Sequence, residues 1–302
     1  MKIVCFRTET DGPVHAGALV DGGRSVLDFE AGGADLPQRD GPFAWHDRGG
    51  PCFAAARALA AEAEADAARL DALRRSGVVL EREGVRLTSP VPRPGKVIAI
   101  GLNYKDHAAE SKMELPEVPL VFSKFSSSVV GPDEPVVLPE GSEQCDYEAE
   151  LGVVVGRVAQ RVDEARAMDC VLGYTCVNDV SARDFQFADG QWQRGKSPDT
   201  FCPVGPYVAT TDEVPEPERL AIRFRLNGET LQDSNTDQLI FGVAALVSYL
   251  SRFTTLEPGD LISTGTPPGV GFARKPPVYI RPGDRMEVEI EGLGVLANPV
   301  SA

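Results

Sequence analysis

The stretch CDYEAELGVVVG, residues 145–156, places acidic residues at three alternate positions and then becomes apolar. In a β-strand, residues i, i+2 and i+4 share one face, so Asp146, Glu148 and Glu150 would lie side by side. The run Leu-Gly-Val-Val-Val that follows is apolar on both faces, which is typical of a buried strand. The sequence therefore predicts a group of carboxylates at the end of a buried strand.

Alternating acidic residues are by themselves a weak signal in this chain. With 45 Asp and Glu among 302 residues, chance alone gives about seven acidic pairs at i, i+2. Glu287, Glu289 and Glu291 in RMEVEIEG alternate in the same way, but the residues between them indicate a strand with one solvated face. We expect function only in the first of the two segments.

Carboxylates on a buried strand need a positive partner. Two carboxylates about 7 Å apart repel by roughly 2 kcal/mol at an effective dielectric constant of ~20. A hard divalent cation relieves this repulsion, and oxygen ligands favour Mg²⁺, Mn²⁺ or Ca²⁺ over Zn²⁺. A solvated face and pairing with arginine remain alternatives. Asp179, after the strand-like segment GYTCVN, could be a third oxygen ligand or the N-cap of a helix opening at Val180.

Composition excludes several classes of protein. The chain has 302 residues, 42% of them hydrophobic, enough for one large domain or two unequal ones. Its net charge of −15 argues against a nucleic-acid partner. No apolar run approaches the ~20 residues that cross a bilayer, and MKIVCFRTETDG contains no signal-peptide core. The six cysteines form no CxxC pair, so we expect a cytoplasmic protein with reduced thiols. From the lack of a long apolar run we expect no membrane partner.

The order of strand-like and helix-like segments predicts a β-rich α+β fold in two parts. Residues 1–92 are expected to form a small N-terminal α+β domain that contains a helix over 53–77. PVPRPG, residues 90–95, is the linker candidate because three prolines and a glycine interrupt regular structure. Residues 96–302 then form the larger, mostly β domain.

Two local signals stand out within the larger domain. Asn227-Gly228 between two β-branched runs predicts a two-residue hairpin. FGVAALVSYLSRF, residues 241–253, has apolar residues at helical spacing and predicts a helix.

Three further segments could carry chemistry. In GLNYKDHAAES, His107 and Glu110 would share a helix face, as a surface pair or, if a site faces them, as an acid/base dyad. GQWQRGKS matches the phosphate-loop pattern GxxxxGK[ST], but no buried strand precedes it. Lys196 then remains either a functional cation in a segment with few cations or a surface lysine. TGTPPGVG, residues 264–271, is a turn whose backbone N–H groups could receive a carboxylate.

Five segments, in this order, resemble motifs of the fumarylacetoacetate hydrolase family: GLNYKDHAAE, DYEAELGVVVG, GYTCVNDVSARDFQ, QWQRGKSPDTFCPVGP and ISTGTPPGVG. The resemblance covers about residues 96–302. It implies a mixed β-sheet roll of the family's C-terminal type, with the site in its mouth and usually in a homodimer. It also implies that Glu148, Glu150 and Asp179 bind Mg²⁺ or Mn²⁺, with Ca²⁺ as a non-native occupant, whereas Asp146 is not a ligand.

The resemblance also assigns roles to other residues. It implies that His107 and Glu110 lie on a lid over the substrate and act in catalysis together with Lys196, which contacts the substrate. The residues that it implies to bind substrate are Arg183, Gln186 and Thr266.

The function implied is that of a Mg²⁺- or Mn²⁺-dependent hydrolase. It would cleave a C–C bond in a 2,4-dioxo (acylpyruvate-like) acid through a metal-stabilised pyruvate enolate, so its partner is a small anionic 2-oxo acid. The same enolate site could instead serve a lyase or isomerase: an oxaloacetate decarboxylase or tautomerase, a ureidoglycolate lyase or a 2-hydroxyhepta-2,4-diene-1,7-dioate isomerase. A non-catalytic metal-binding protein is the remaining alternative.

Overall fold

The computed structural model describes residues 1–32, 44–110 and 114–302. In chain order, the strands of these ranges are β1 (Lys2–Arg7), β2 (His15–Val20), β3 (Ser25–Asp28), β4 (Val79–Glu81), β5 (Arg86–Thr88), β6 (Val97–Gly101), β7 (Leu120–Lys124), β8 (Val129–Val130), β9 (Val136–Val137), β10 (Cys145–Asp146), β11 (Ala149–Val155), β12 (Val171–Asn178), β13 (Ser181–Ala182), β14 (Cys202–Thr210), β15 (Ala221–Leu226), β16 (Glu229–Asn235), β17 (Leu261–Ser263), β18 (Arg285–Ile290) and β19 (Gly294–Ser301). The helices are α1 (Pro51–Ala65), α2 (Ala67–Arg75), α3 (Lys105–Glu110), α4 (Glu164–Ala167), α5 (Arg183–Phe187), α6 (Gln193–Lys196) and α7 (Val243–Ser251).

Most of these strands belong to one large mixed sheet. Its order is β4-β3-β2-β1-β14-β12-β11-β17-β6-β7, with β5 beside β1 and β8 beside β14. β11 pairs antiparallel with β12 and β17, whereas β17 and β6 are parallel. A smaller sheet has the order β16-β15-β18-β19-β9, and β10 pairs with β13. The predicted β-rich α+β fold, a mixed sheet roll, is therefore confirmed.

The centre of the large sheet is the predicted buried strand. Every residue of β11 and β12 is buried, and burying each Val, Ile or Leu side chain contributes about 1.5–3 kcal/mol. Just before β11, the Tyr147 ring stacks on Phe224 of β15 with centroids 4.0 Å apart, so the two larger sheets pack together here. The acidic stretch thus begins where the core is well packed.

The N-terminal residues extend the large sheet. β1 pairs antiparallel with β14, with Lys2 opposite Ala209 and Ile3 opposite Val208. The residues between β5 and β6, which contain the predicted linker, form no helix or strand. The division into domains at residues 92–96 stays a prediction.

The prediction of a single helix over residues 53–77 is wrong in one respect, since two helices, α1 and α2, occupy this range. Asp66 has extended backbone angles and separates α1 from α2, and its side chain accepts a hydrogen bond from Ala68 N at 2.9 Å. An Asp side chain stabilises a helix start in this way, which competes with continuation of the helix. Gly77, at φ +77°, follows the end of α2 as expected.

The two local signals of the larger domain are confirmed. Asn227 and Gly228 have φ values of +54° and +84° and join β15 to β16, as a type I′ turn requires. The helix predicted over 241–253 is α7, which is two residues shorter at each end.

Candidate active site

Three carboxylates converge at one end of the central strand pair. Pairing of Ala149 with Asn178 puts the start of β11 beside the end of β12, which brings Glu148 and Glu150 close to Asp179. Carboxylate oxygens of these three residues lie within 4.8 Å of one another, and all three residues are buried. The alternation noted in the sequence thus forms a compact cluster, hereafter the carboxylate cluster (Glu148, Glu150 and Asp179).

The interpretation of Asp179 as a helix N-cap is wrong. The next helix, α5, begins at Arg183 and has Ala182 at its N-cap. Asp179 instead directs both carboxylate oxygens at lysines, with Lys124 Nζ 2.6 Å from Oδ1 and Lys196 Nζ 2.9 Å from Oδ2. Two cationic partners bind this side chain more strongly than a helix N-terminus would.

Lys196 lies inside the carboxylate cluster, so the alternative of a surface lysine is wrong. Its Nζ donates to Glu148 Oε2 at 2.8 Å as well as to Asp179, and the residue is 2% exposed. The helix before it is α5 and the helix that ends on it is the four-residue α6. A phosphate loop requires a buried strand and then a longer helix. GQWQRGKS therefore does not form one.

Sequence reasoning missed the second lysine, Lys124. It ends β7 and is buried among the Asp179 carboxylate and the backbone carbonyls of Val180 and Lys196. The signal that was available is a lysine within the apolar run PLVFSKF, because a lysine is almost never fully buried unless it is paired.

The two glutamates of the cluster differ in electrostatic environment. Burial raises the pKa of Glu148, but the charges of Lys196 and Arg183 outweigh it and bring the pKa down to about 2. For Glu150, burial and then the charges of Asp179 and Glu148 raise the pKa well above its usual range. Its Oε2 accepts from two neutral donors, Ser263 Oγ at 2.6 Å and Gly265 N at 2.8 Å.

This asymmetry tests whether the cluster suits a cation. The pKa of Glu150 is raised first by burial and then by the charges of Asp179 and Glu148, so a negative charge on this side chain is unfavourable without further positive charge nearby. A divalent ion would supply such positive charge, and a donor set of buried carboxylate oxygens alone fits a hard ion such as Mg²⁺ or Mn²⁺. Glu148, Glu150 and Asp179 are the residues that would hold it.

Arg183 connects the cluster to the residue excluded as a ligand, Asp146. Its Nη2 lies 2.7 Å from Glu148 Oε1 and 2.8 Å from Asp146 Oδ2. Asp146 also accepts from Gly271 N at 2.7 Å, so it holds the loop that follows β17. Gln186 Oε1 accepts from Arg183 Nη1 at 2.9 Å. Arg183 and Gln186 thus lie at the site, although their contact with substrate stays a prediction.

Thr266 lies in the same loop and contacts the start of β11. Its hydroxyl donates to Ala149 O at 3.0 Å and accepts from Gln232 Nε2 at 2.8 Å. Gln232 Oε1 in turn accepts from Ala149 N at 2.9 Å, which makes Gln232 a buried support that the sequence did not indicate. The expected capture of a carboxylate by this loop stays a prediction.

His107 and Glu110 form the predicted pair on α3. His107 Nδ1 lies 3.3 Å from Glu110 Oε2, which also faces Gly269 N at 3.3 Å. The helix therefore contacts the loop that carries Thr266. Asn103, just before α3, fixes this arrangement because its Nδ2 donates to Thr264 O at 2.7 Å. The predicted role as a lid stays a prediction, and residues 111–113 lie outside the described residues.

No helix among the described residues is long and apolar enough to span a bilayer. The cytoplasmic location and the homodimer stay predictions.

Comparison with known proteins identifies relatives over the whole chain. The chain is 40% identical over 302 residues to a mitochondrial oxaloacetate tautomerase of Xenopus laevis, covering 99% of this chain and 90% of the relative. It is 42% identical over 303 residues to the human mitochondrial oxaloacetate tautomerase, covering 99% and 91%.

Solved structures agree with this relationship. A fumarylacetoacetate hydrolase from Exiguobacterium antarcticum superimposes with a TM-score of 0.81 at 35% identity, covering 100% of this chain and 99% of that one. A 2-hydroxyhepta-2,4-diene-1,7-dioate isomerase from Mycobacterium marinum superimposes with a TM-score of 0.74 at 34% identity, covering 100% and 98%. The sequence model of the family described as "Fumarylacetoacetate (FAA) hydrolase C-terminal" matches residues 96–301. The chain belongs to the fumarylacetoacetate hydrolase family.

Proposed function

We propose that the protein is a Mg²⁺- or Mn²⁺-dependent enzyme that tautomerises small anionic 2-oxo acids, with oxaloacetate or a close 2-oxo diacid as substrate. The observation that carries the proposal is the buried carboxylate cluster with the Lys196 ammonium inside it. The names of the relatives from Xenopus laevis and human support the choice of substrate.

The cluster residues would bind the metal, and the residues around them would bind the substrate. A bound divalent ion supplies positive charge that stabilises an enolate oxygen. Lys196 and Arg183 add positive charge on the same side of the cluster, where Glu148 lies 2.8 Å from the first and 2.7 Å from the second. A protein with a net charge of −15 thereby offers local positive charge to an anionic substrate.

Tautomerisation moves one proton between carbon and oxygen, so it needs an acid/base group but no water. His107 is the group that we assign to this step. Its Nδ1 faces Glu110 at 3.3 Å, which leaves Nε2 as the nitrogen that would take the proton and return it. Glu110 would orient the ring and stabilise its protonated form.

Hydrolysis of a 2,4-dioxo acid is the second candidate, because the same His107–Glu110 pair could take a proton from an attacking water. The relative from Exiguobacterium antarcticum carries the name of a hydrolase. Hydrolysis adds water across a C–C bond and releases two acids, whereas tautomerisation releases nothing. The two reactions are therefore separable in one assay series.

The test presents fresh enol-oxaloacetate, oxaloacetate in its keto form and an acylpyruvate to the purified protein with Mn²⁺. We expect faster decay of the enol absorbance, and we expect EDTA to remove the acceleration and Mn²⁺ to restore it. His107→Ala should lower this rate by about 10² to 10⁴. His15→Ala is the matched control, since His15 lies on β2 beside Asp28 and outside the site.

The outcomes separate the candidates. Release of pyruvate from the acylpyruvate without acceleration of the oxaloacetate enol would replace the tautomerase by the hydrolase. Full activity in EDTA would refute the metal requirement, and no turnover of any of the three would favour a non-catalytic protein.

A further inference from the structure

Lys124 is a buried lysine that none of the sequence motifs includes. Its side chain is 0% exposed, although it ends β7 at the edge of the large sheet. Its Nζ donates to Asp179 Oδ1 at 2.6 Å, to Val180 O at 3.1 Å and to Lys196 O. An ammonium group has three N–H donors, and here three acceptors meet them. Burial of such a group is costly unless its donors are satisfied in this way.

These contacts join two segments of the site that the chain itself does not hold together. Val180 and Asp179 follow β12, whereas Lys196 ends α6. The residues on either side of Lys124 reinforce the connection, because Gln193 Nε2 donates to Ser123 Oγ at 3.0 Å and Phe125 N donates to Ser197 Oγ at 3.0 Å. The end of β7 therefore holds the segment from Gln193 to Ser197 on both sides of Lys196.

We propose that Lys124 is the positioning residue of the carboxylate cluster: it fixes the Asp179 carboxylate and the Lys196 backbone relative to each other. The proposal rests on the proposed metal-dependent function. Because Lys124 holds Oδ1 of Asp179, only Oδ2 is directed towards Glu148, on the side where Lys196 Nζ lies 2.9 Å away. The hydrogen bonds of Lys124 Nζ go to Asp179, Val180 and Lys196, so in this proposal Lys124 acts through Asp179 and Lys196.

The alternative is that Lys124 only neutralises the charge of the buried Asp179 carboxylate and positions nothing. Both interpretations predict lower stability when the lysine is lost, so stability cannot separate them. They differ in the folded protein. A residue that orients a metal ligand changes metal affinity or activity by about 10- to 100-fold when it is replaced, whereas a pure counter-ion competes with the metal for the same negative charge, and its loss would leave the affinity equal or higher.

The experiment measures Mn²⁺ affinity of the whole protein, without substrate, by titration well below the melting temperature. Lys124→Met should weaken Mn²⁺ binding by about 10- to 100-fold. Lys96→Met is the matched control, since Lys96 bridges Asp260 at 2.9 Å and Glu257 at 3.0 Å outside the site. The control should keep wild-type Mn²⁺ affinity even where its melting temperature falls.

A second variant covers the case in which Lys124→Met does not fold. Lys124→Arg keeps the charge but spreads its donors over a planar group, so it should fold and still weaken Mn²⁺ binding about tenfold or more. Unchanged or tighter Mn²⁺ binding in a folded Lys124 variant overturns the proposal. If the wild-type protein binds Mn²⁺ but turns over no 2-oxo acid, the proposed function fails while the Lys124 comparison still gives its answer.

Discussion

Two segments of this protein carry glutamates at alternate positions, one at the start of β11 and one on β18, and of these two only the first forms a buried cluster. Glu148, just before β11, is 7% exposed and Glu150, within it, is 1% exposed, and lysines from distant segments lie against the cluster. On β18, the Glu287 and Glu289 side chains are 29% and 35% exposed. The same local pattern thus has opposite electrostatic consequences.

The difference comes from the partners of each strand. Glu287 and Glu289 of β18 lie opposite Arg225 and Arg223 of β15 in the sheet register. At the protein surface Glu287 pairs with Arg285 and Glu289 pairs with Arg225. The buried start of β11 has no such row of solvent-exposed ion pairs. The repulsion between the carboxylates of the cluster is stronger there because water is excluded. Burial of converging carboxylates, rather than the alternation itself, distinguishes the candidate site from the surface strand.

The largest effect is expected on activity, when one glutamate at the start of β11 is neutralised and compared with the same change on β18. Glu150→Gln keeps the shape of the side chain but removes a proposed ligand, and a metal contributes several kcal/mol to the stabilisation of developing charge. We expect kcat/KM to fall on the order of 10³-fold. Glu289→Gln is the matched control and should stay within about twofold. Similar activity of the two variants, measured on the substrate found in the screen, would break the comparison.

A second prediction tests burial at a group outside both strands. His46 is 1% exposed, and its Nε2 lies 2.9 Å from Pro90 O. Burial lowers the pKa of His46 from 6.5 to about 4, although the bond to Pro90 acts in the opposite direction. Above pH 6.5 both states are neutral. Between pH 6.5 and 4 only the unfolded chain takes up the proton, so stability falls by about 3 kcal/mol across this window.

The measurement is urea unfolding of the wild type and of His46→Gln from pH 7 to pH 4. The variant should lack this part of the pH dependence, so the gap between the two free energies of unfolding should narrow as the pH falls. Parallel curves would show that His46 is accessible to protons in the folded protein.

The smallest effect is expected at the surface glutamates. Arg225 Nη2 and Glu289 Oε2 form an ion pair with side chains 26% and 35% exposed. Exposed pairs of this kind contribute about 0.2–1 kcal/mol. A double-mutant cycle with Arg225→Met and Glu289→Gln should give a coupling energy in this range that decreases in high salt. A coupling energy of several kcal/mol would mean that the charge interactions on β18 are as strong as those expected at the buried start of β11.

Local features of the site were readable from the sequence. Glu148, Glu150 and the apolar run after them lie within twelve residues, and strand geometry alone places the two carboxylates on one face. The i, i+3 spacing of His107 and Glu110 likewise predicted the contact that α3 makes. In both cases the partners are neighbours in the chain, so periodicity carries the information.

Long-range partners were not readable. Lys124 meets Asp179 across 55 residues and the Lys196 carbonyl across 72, and no local period relates such positions. The split at Asp66 was missed for a different reason, because helix propensity over residues 53–77 is high and one side-chain cap overrides it. The order of the large sheet likewise depends on pairings between distant strands, such as β1 with β14, which the pattern of each strand does not contain.

The pairing of β1 with β14 also orders events during synthesis. The amino group of Met1 donates to Thr210 Oγ1 across 209 residues of chain, next to the contact of Lys2 with Ala209. At about 5–20 residues per second, the ribosome needs roughly 10–40 s to make the second strand after the first. Until then an apolar edge of the N-terminal strands stays without its neighbour. During this time the unpaired edge of β1 can pair with a wrong strand, and the long separation between β1 and β14 lengthens that period.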